Sequence, residues 1–189
     1  MKLWVVVFVL SINMLSCNIF DLRTANKPSG IIAWNSYANS YEKCLENLLY
    51  SFNYKENVYK YSEILAENFR FEFDQQDINY HSIPEFWDKK HETDMLLNFH
   101  QQINVNQSVS LEIFPIDNLN DEIRDRMVII YREYFLTITN NRYPGDEHHG
   151  KLEIVFEKES NGLWKIIVWR DYRIQNNKTW GRMKNEYSV

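Results

Sequence analysis

Two side chains in the sequence could carry acid–base chemistry, because each lies near large apolar residues. His91 falls between Trp87 and Met95 at four-residue steps, on one stripe of a predicted helix. Asp171 follows Arg170 near the end of the predicted last strand. A general acid or base needs a shifted pKa and an orienting partner within hydrogen-bond reach. No spacing ties His91 to Asp171, so both are candidates only; a histidine at the core's edge and a structural ion pair are the favoured interpretations.

A small set of side chains could contact a ligand. Arg170 could bind a polar group, and Glu133, between two aromatic residues of a predicted strand, could point inward or equally well face solvent. The candidate ligand-binding residues are Trp87, His91, Glu133 and Arg170. The sequence contains no catalytic-triad pattern, glycine-rich phosphate loop or paired-carboxylate motif. We therefore expect no cofactor and lean against catalysis.

One run of acidic residues and histidines, 146–149 (DEHH), could suggest a metal site. It lies in the turn-rich segment 140–150 (NNRYPGDEHHG), which we expect to be a loop. Ligands crowded into one flexible loop rarely satisfy the geometry of a metal site, and no second cluster of ligands is apparent. We therefore predict a solvated hairpin tip and no metal.

The composition bounds the class of protein. The chain has 189 residues, of which 44% are hydrophobic and 15% aromatic, so one globular domain with a substantial core is expected. The net charge of −5 and the lack of a basic patch argue against nucleic acid as a partner.

The first residues are predicted to be an export signal. Residues 3–10 (LWVVVFVL) are continuously apolar, too few to span a bilayer but typical of a signal peptide, which we assign to residues 1–16. The sequence Leu15-Ser16-Cys17 resembles the bacterial lipoprotein signal, in which the cysteine is acylated and becomes the mature N-terminus. This resemblance implies a lipid on Cys17 and a membrane-anchored location in the cell envelope. The alternative is an ordinary secretory signal that happens to precede a cysteine.

The rest of the chain divides into a tether and a domain. Residues 17–35 have no sustained hydrophobic period and contain Pro28-Ser29-Gly30, so we expect the lipidated cysteine to be followed by a linker. The domain then covers residues 36–189. With Cys17 lipidated, Cys44 has no disulfide partner, and its apolar helical neighbours indicate a small buried hydrophobe.

The periodicity predicts three helices and five strands. Two helical stripes in residues 41–65 lead directly into a strand at Phe69, where the period changes to two. A third helix is predicted from Ser82 as N-cap to about His100, after a loop at 75–81. Four antiparallel strands joined by turns follow, at 103–115, 127–139, 151–158 and 163–174. The fold class is therefore α+β, with the helices covering one face of a curved sheet.

This order of elements resembles the NTF2-like superfamily, the cone-shaped fold of the SnoaL and ketosteroid-isomerase type. Three local patterns carry the resemblance: the segment 57–73, the last hairpin at 162–166, and Trp169-Arg170-Asp171 followed by Trp180-Gly181. Enzymes of this superfamily hold an Asp or His base inside the cone, together with Tyr or Asp donors. The outer side of the sheet often packs against a second subunit, so a homodimer is implied.

Three functions follow from these observations. We expect a membrane-tethered, non-catalytic domain that binds a small apolar molecule or a protein partner. The alternatives are an isomerase or dehydratase that uses His91 or Asp171, and a dimeric scaffold without a pocket. An open apolar cavity holding an ionisable group would favour the enzyme. A cone filled by Phe and Trp side chains would favour the scaffold.

Overall fold

The computed structural model describes residues 33–104, 106–140 and 143–188, in which helices and strands are interleaved. The α-helices are α1 (Tyr41–Asn53), α2 (Gln75–His81), α3 (Lys89–Gln102) and α4 (Trp180–Glu186), and a 3₁₀ helix covers Lys55–Ile64. The strands are β1 (Leu65–Glu72), β2 (Phe86–Asp88), β3 (Gln107–Pro115), β4 (Glu122–Ile123), β5 (Met127–Asn140), β6 (Tyr143–Lys158) and β7 (Trp164–Arg173).

The strands form one mixed, mostly antiparallel sheet. Six strands follow the order β2-β1-β7-β6-β5-β3, and the short β4 pairs with β5. Only the pairing of β1 with β7 is parallel among the pairs of the described residues. Register shifts interrupt β6–β7 and β1–β7, and such bulges bend strands. The predicted α+β class, with N-terminal helices packed on the sheet, is confirmed.

The strand β1 shows how the sequence directs one face to the core. Phe69, Phe71 and Phe73 are buried, whereas Arg70 is exposed, as the alternation predicts. The hairpin between β6 and β7 also forms as predicted. Gly162 has φ of 85°, a conformation that glycine adopts without steric cost.

The helices differ from the prediction at three places. The second helix is a 3₁₀ helix, and the predicted loop at 75–81 is the helix α2 with Asp74 as N-cap. Ser82 does not start the third helix; it follows α2 with φ of 54°, in the left-handed region. The helix α3 begins only at Lys89 because residues 86–88 pair with β1, and Asp88 is its N-cap. Backbone pairing with the sheet therefore replaces the predicted first helical turn.

The turn-rich segment 140–150 was predicted wrongly as a loop. The strand β6 starts at Tyr143 and pairs with β5 through most of this segment, with Glu147 opposite Thr137 and Gly150 opposite Tyr134. The long β5 offers free backbone groups for this ladder, and satisfying them outweighs the turn propensity of the individual residues.

The helix α4 at the C-terminal end is an element that the sequence analysis did not predict. Thr179 is its N-cap and accepts a hydrogen bond from the backbone N–H of Arg182. The buried residues Trp180, Gly181, Met183 and Lys184 direct one side of this short helix into the core.

The predicted signal peptide 1–16, Cys17 and the tether up to residue 32 lie outside the described residues. Asn35, at the end of the predicted tether, is held by Asn47, whose side chain accepts from its N–H at 2.8 Å and donates to its C=O at 3.0 Å. Cys44 is buried, as predicted. Within the described ranges, no helix has the length and apolar character needed to cross a bilayer.

Candidate functional site

The helix α4 docks on the helix-covered face of the sheet through the side chain of Trp180. The Trp180 ring centroid lies 4.3 Å from that of Trp169, 4.8 Å from Phe52 and 5.2 Å from Tyr134. All four side chains are fully buried. The edge-to-face geometry of three of these rings is favourable beyond the area they bury. Aromatic side chains therefore fill the space between α1, β5 and β7.

Asp171 lies on the inward face of β7, directly beneath α4. The Tyr134 hydroxyl donates to its Oδ1 at 2.7 Å, and the Gly181 N–H donates to its Oδ2 at 2.5 Å. The Trp180 N–H donates to the Tyr134 hydroxyl oxygen at 2.7 Å. Two otherwise unpaired N–H groups at the start of α4 thus find acceptors through Asp171 and Tyr134.

The position of Gly181 is set by the closeness of this contact. A Cβ atom at Gly181 would lie 2.8 Å from the Phe73 ring and 3.0 Å from Asp171 Oδ2, so only glycine lets the backbone approach the carboxylate. Burial raises the pKa of Asp171 to about 7, although the hydrogen bonds from Tyr134 and Gly181 act in the opposite direction. Burial also raises the pKa of Tyr134 well above its ordinary value, and the Asp171 carboxylate adds to this effect.

A second buried polar cluster surrounds Glu92 on α3. Its Oε1 accepts from Lys184 Nζ and from the Tyr61 hydroxyl, both at 2.5 Å, and its Oε2 accepts from Trp87 Nε1 at 2.9 Å. Glu92, Lys184 and Tyr61 have no exposed surface. Three donors thus satisfy one carboxylate in the core.

The Lys184 ammonium group lies inside an aromatic cage formed by Phe71, Trp169 and Trp180. Its Nζ lies 3.5 Å from the ring centroid of Trp169, 3.8 Å from Phe71 and 5.5 Å from Trp180. Burial lowers the pKa of Lys184 to about 8, and the neighbouring Glu92 carboxylate opposes this shift. The cation is therefore stabilised by ring faces and one carboxylate instead of water.

A third cluster fixes the segment that precedes α4. His148, fully buried on β6, is bonded through Nδ1 to the Thr179 C=O at 3.0 Å and through Nε2 to Asp146 at 3.2 Å. Lys178 donates to the other oxygen of Asp146 at 2.5 Å. Burial lowers the pKa of His148. The residues predicted as a solvated hairpin tip are instead part of the support of α4, so that prediction was wrong.

His91 lies on the surface and not in a pocket. Its side chain is 66% exposed, and its Nδ1 lies 2.7 Å from Asp88 Oδ1. The buried stripe of α3 is formed by Glu92, Met95, Leu96, Phe99 and His100, so His91 is one position away from it. Trp87 belongs to β2 and is buried, where it bonds Glu92. Trp87 and His91, which the four-residue repeat had placed on one helix, therefore belong to two different elements, β2 and α3.

Glu133 and Arg170 lie on the side of the sheet opposite the helices. The Oε1 atom of Glu133 lies within hydrogen-bond distance of His149 Nε2, at 2.6 Å. Arg170 donates from Nε to Glu72 at 2.7 Å and also binds Glu153. Arg170 and Asp171 point to opposite faces of β7. They therefore do not form the ion pair with each other that the sequence analysis favoured. The structure brings none of His91, Glu133 and Arg170 near Asp171.

The interior groups Glu92 and Lys184 were missed by sequence reasoning, although a signal existed. Glu92 occupies the apolar stripe of α3 one turn before Met95 and Leu96, and a carboxylate on such a stripe indicates a buried partner. Lys184 stands four residues after Trp180, which places both on one side of a helix. No pattern linked the two residues before the fold was known.

Chemically, these clusters hold an acid, a carboxylate, an amine and two phenols, which is a set that could transfer protons. Asp171 is 2% exposed, and Glu92 and Lys184 are 0% exposed, so a substrate has no access to them in this conformation. Among the described residues, no group of three His, Cys, Asp or Glu side chains is arranged to hold a metal ion.

A surface depression of about 350 Å³ lies where the ends of α1 and α3 meet the start of β3. Its walls include Phe52, Asn53, His100, Gln107 and Val109. His100 Nε2 lies 2.8 Å from the Ser51 C=O, and burial lowers its pKa. This histidine is therefore engaged with the backbone of α1.

Comparisons with known proteins agree with this architecture. No protein-family model matches the sequence, and no curated protein matches it. A proposed scytalone dehydratase from Novosphingobium aromaticivorans superposes with a TM-score of 0.54 at 10% identity, covering 75% of this chain and 91% of that one. A conserved protein from Planctomyces limnophilus gives a TM-score of 0.53 at 11% identity, covering 69% and 90%.

An NTF2-like superfamily protein from Salmonella enterica superposes with a lower TM-score of 0.48 at 12% identity, covering 71% of this chain and 89% of that one. Identities this low concern the fold alone. The helices packed on one face of a mixed, mostly antiparallel sheet give the chain the α+β architecture that the resemblance to the NTF2-like superfamily implied.

Proposed function

We propose that this chain is a membrane-tethered, non-catalytic NTF2-like domain of the bacterial cell envelope that acts by binding a protein partner, in the first instance a second copy of itself. The supporting observation is the filled interior. Trp180 and Lys184 of α4 occupy the space beneath the sheet and have no exposed surface. The interior therefore offers no room for a small apolar ligand in this conformation. A partner must bind at the surface of the domain.

The outer sheet face has a composition that is compatible with a symmetric interface. We use this term for the side of β5, β6 and β7 opposite the helices, on which Arg170 bridges Glu72 and Glu153. Half-exposed aromatic side chains lie among these charges: Tyr172 is 43% exposed, and the Phe135 ring stacks on His149 at 4.1 Å. A two-fold interface joins the same patch on both subunits, so any charges within it must include both signs, and apolar surface adds area to bury.

The isomerase or dehydratase hypothesis has less support. Asp171, with its raised pKa and its Tyr134 partner, is the group that such chemistry would use. A carboxylate that is 2% exposed and accepts from the backbone of α4 is engaged in structure. The lipid anchor at Cys17 and the envelope location belong to the proposal and rest on the N-terminal sequence.

Native mass spectrometry of the full-length protein released from detergent tests these points together. We expect the mass of two chains, no retained small molecule, and a lipid adduct that is absent from Cys17→Ala. Tyr172→Glu places a charge on the outer sheet face and should give single chains. Tyr59→Glu is the matched control, because Tyr59 is 80% exposed on the 3₁₀ helix, away from this face. A single chain that retains a small molecule would contradict the proposal.

A further inference from the structure

The side chains that α4 inserts into the core have the chemistry of a ligand. Trp180 contributes an aromatic ring and Lys184 an ammonium group, and the Lys184 Nζ lies 5.5 Å from the Trp180 ring centroid. A short alkyl chain that joins a ring to an amine spans a similar distance. We propose that the space beneath α4 is a binding site for an arylalkylammonium compound, and that Trp180 and Lys184 are its built-in occupants.

The groups that would recognise this ligand lie outside α4. The acceptor Glu92 is on α3, and it is oriented by the Tyr61 hydroxyl and by Trp87 Nε1. The ring faces of Phe71 and Trp169, on β1 and β7, lie 3.8 Å and 3.5 Å from the ammonium nitrogen. A carboxylate together with two aromatic faces is an arrangement that selects organic cations. Because these residues belong to the sheet and α3, the recognition site persists when α4 withdraws.

The position that the Trp180 indole occupies would hold the aromatic ring of the ligand. Phe52 and Trp169 contact the Trp180 indole edge-to-face, with centroids 4.8 Å and 4.3 Å away. Another aromatic ring can make the same contacts, since they depend on ring geometry and not on the chain that carries the ring. The ligand class therefore combines one aromatic ring with one primary ammonium group.

The helix α4 is suited to withdrawal from this site. It has seven residues, which is too short for a stable helix without its packing contacts. Within the described part of the chain, the indole Nε1 of Trp180 is buried without a hydrogen-bond partner, a cost that exposure to water removes. The helix is also the last element described, so its release leaves the pairing of the strands intact.

A buried ion pair is not needed merely to fill this space. Apolar residues of similar volume often replace buried ion pairs without loss of stability. Packing alone therefore does not require a charged group at this position, which supports the assignment of a cation site. This inference goes beyond the proposed function: the dimer concerns the outer sheet face, so either can fail while the other stands.

The first test removes the internal ammonium group and supplies one from solution. The full-length Lys184→Ala variant is heated with tryptamine hydrochloride or with tryptophol, its uncharged counterpart, at equal ionic strength. We expect tryptamine to raise the melting temperature by about 3–6 °C at ten times its dissociation constant. Tryptophol should give a much smaller shift. In Arg182→Ala, which removes an ion pair at the surface of the same helix, Lys184 still competes for the site, so tryptamine should give a much smaller shift than in Lys184→Ala.

The second test uses the unaltered protein, so it does not depend on whether the variant folds. Tryptamine should speed hydrogen exchange at the Gly181 amide, which is protected by Asp171, and tryptophol should not. If Lys184→Ala is unfolded, the expected result of the first test is that tryptamine, but not tryptophol, restores a cooperative unfolding transition. The proposal requires both results. Equal effects of the two compounds, no effect in the variant, or unchanged exchange in the unaltered protein overturns it.

Discussion

Lys184 and Glu92 are 92 positions apart in the sequence, yet Nζ and Oε1 meet at 2.5 Å with no exposed surface on either side chain. This pair joins the C-terminal helix to α3 across the core. Removing water from two charges costs free energy, which their attraction and the additional donors of Glu92 must offset. The pair is therefore sensitive to the loss of either partner.

We predict that Lys184→Met and Glu92→Gln each lower the free energy of unfolding by about 3–5 kcal/mol. In the lysine variant the cause is a buried carboxylate without its cation. The double variant should lose much less than the sum, because it leaves neither charge unpaired. Urea unfolding of the four proteins measures this coupling. Additive losses would show that the two side chains do not interact as the structure indicates.

The second prediction concerns pH and Asp171. Its pKa rises from an ordinary value of 3.8 to about 7 on folding, chiefly because of burial. The folded protein therefore binds an extra proton between about pH 4 and pH 7, so stability from this group is fully present below pH 4 and is lost as pH rises through 7. The pKa of Lys184 falls from 10.5 to about 8, so this group affects stability only at pH values above this range.

Asp171→Asn cannot titrate, so the difference in unfolding free energy between the variant and the unaltered protein should change between pH 4 and pH 7 and be constant below pH 4. Urea unfolding at one-unit pH intervals measures it. The difference removes the contribution of all other titrating groups that the two proteins share. A constant difference across the window would contradict the buried, raised-pKa carboxylate.

The sequence predicted elements with local periodicity and missed contacts between distant residues. The alternation of Phe69, Phe71 and Phe73 identified β1, because side-chain direction in a strand depends only on position. Asp171 was named as a candidate for acid–base chemistry, but its partners Tyr134 and Gly181 are 37 and 10 positions away. His91 was grouped with the core by spacing alone.

The missed elements have the same physical origin. The helix α4 is short, and its burial depends on the rings of Phe52 and Trp169, which come from other elements. The first half of β6 has turn-forming residues, and its pairing partner β5 decides its conformation. Tertiary contacts thus override the secondary-structure propensity of the individual residues at both places. A single sequence reveals this propensity but not the tertiary contacts.

The third prediction uses the close approach of β6 to the Tyr134 hydroxyl. A Cβ atom at Gly150 would overlap with this oxygen and would lie 2.7 Å from the Tyr172 C=O. Gly150→Ala should therefore push Tyr134 away from Asp171 and destabilise the protein by about 1–3 kcal/mol. Lys151→Ala, at the exposed neighbouring position, should change stability by less than about 0.5 kcal/mol. Equal stability of the two variants by urea unfolding would argue against this packing.

The fourth prediction concerns the free edge of β3. The Asn53 side chain accepts from the Leu111 N–H at 2.7 Å and donates to the Leu111 C=O at 3.1 Å, so it completes the edge as a neighbouring strand would. Asn53→Ala leaves both groups unpaired and should cost about 1–3 kcal/mol. Asn53→Asp keeps the acceptor and should cost less. Faster hydrogen exchange at Leu111 in Asn53→Ala is the specific measurement, and unchanged exchange would oppose this role.

The last prediction separates the two cysteines. Cys44 is fully buried, and burial raises the pKa of its thiol to about 12, so it is not a reactive thiolate in the folded protein. Cys17 follows the predicted export signal and is the expected site of the lipid. Metabolic labelling with a palmitate analogue should therefore mark the unaltered protein and Cys44→Ala equally, and should not mark Cys17→Ala. Cys44→Ala is the matched control, because it also removes one thiol from the chain.

Labelling that persists in Cys17→Ala would exclude Cys17 as the sole site of the lipid. Loss of labelling in Cys44→Ala would show that Cys44, and not Cys17, carries the lipid. Membrane fractionation of the same three proteins then relates the lipid to location. Only Cys17→Ala should leave the membrane fraction, since it lacks the acyl chains that bury CH₂ groups in the bilayer.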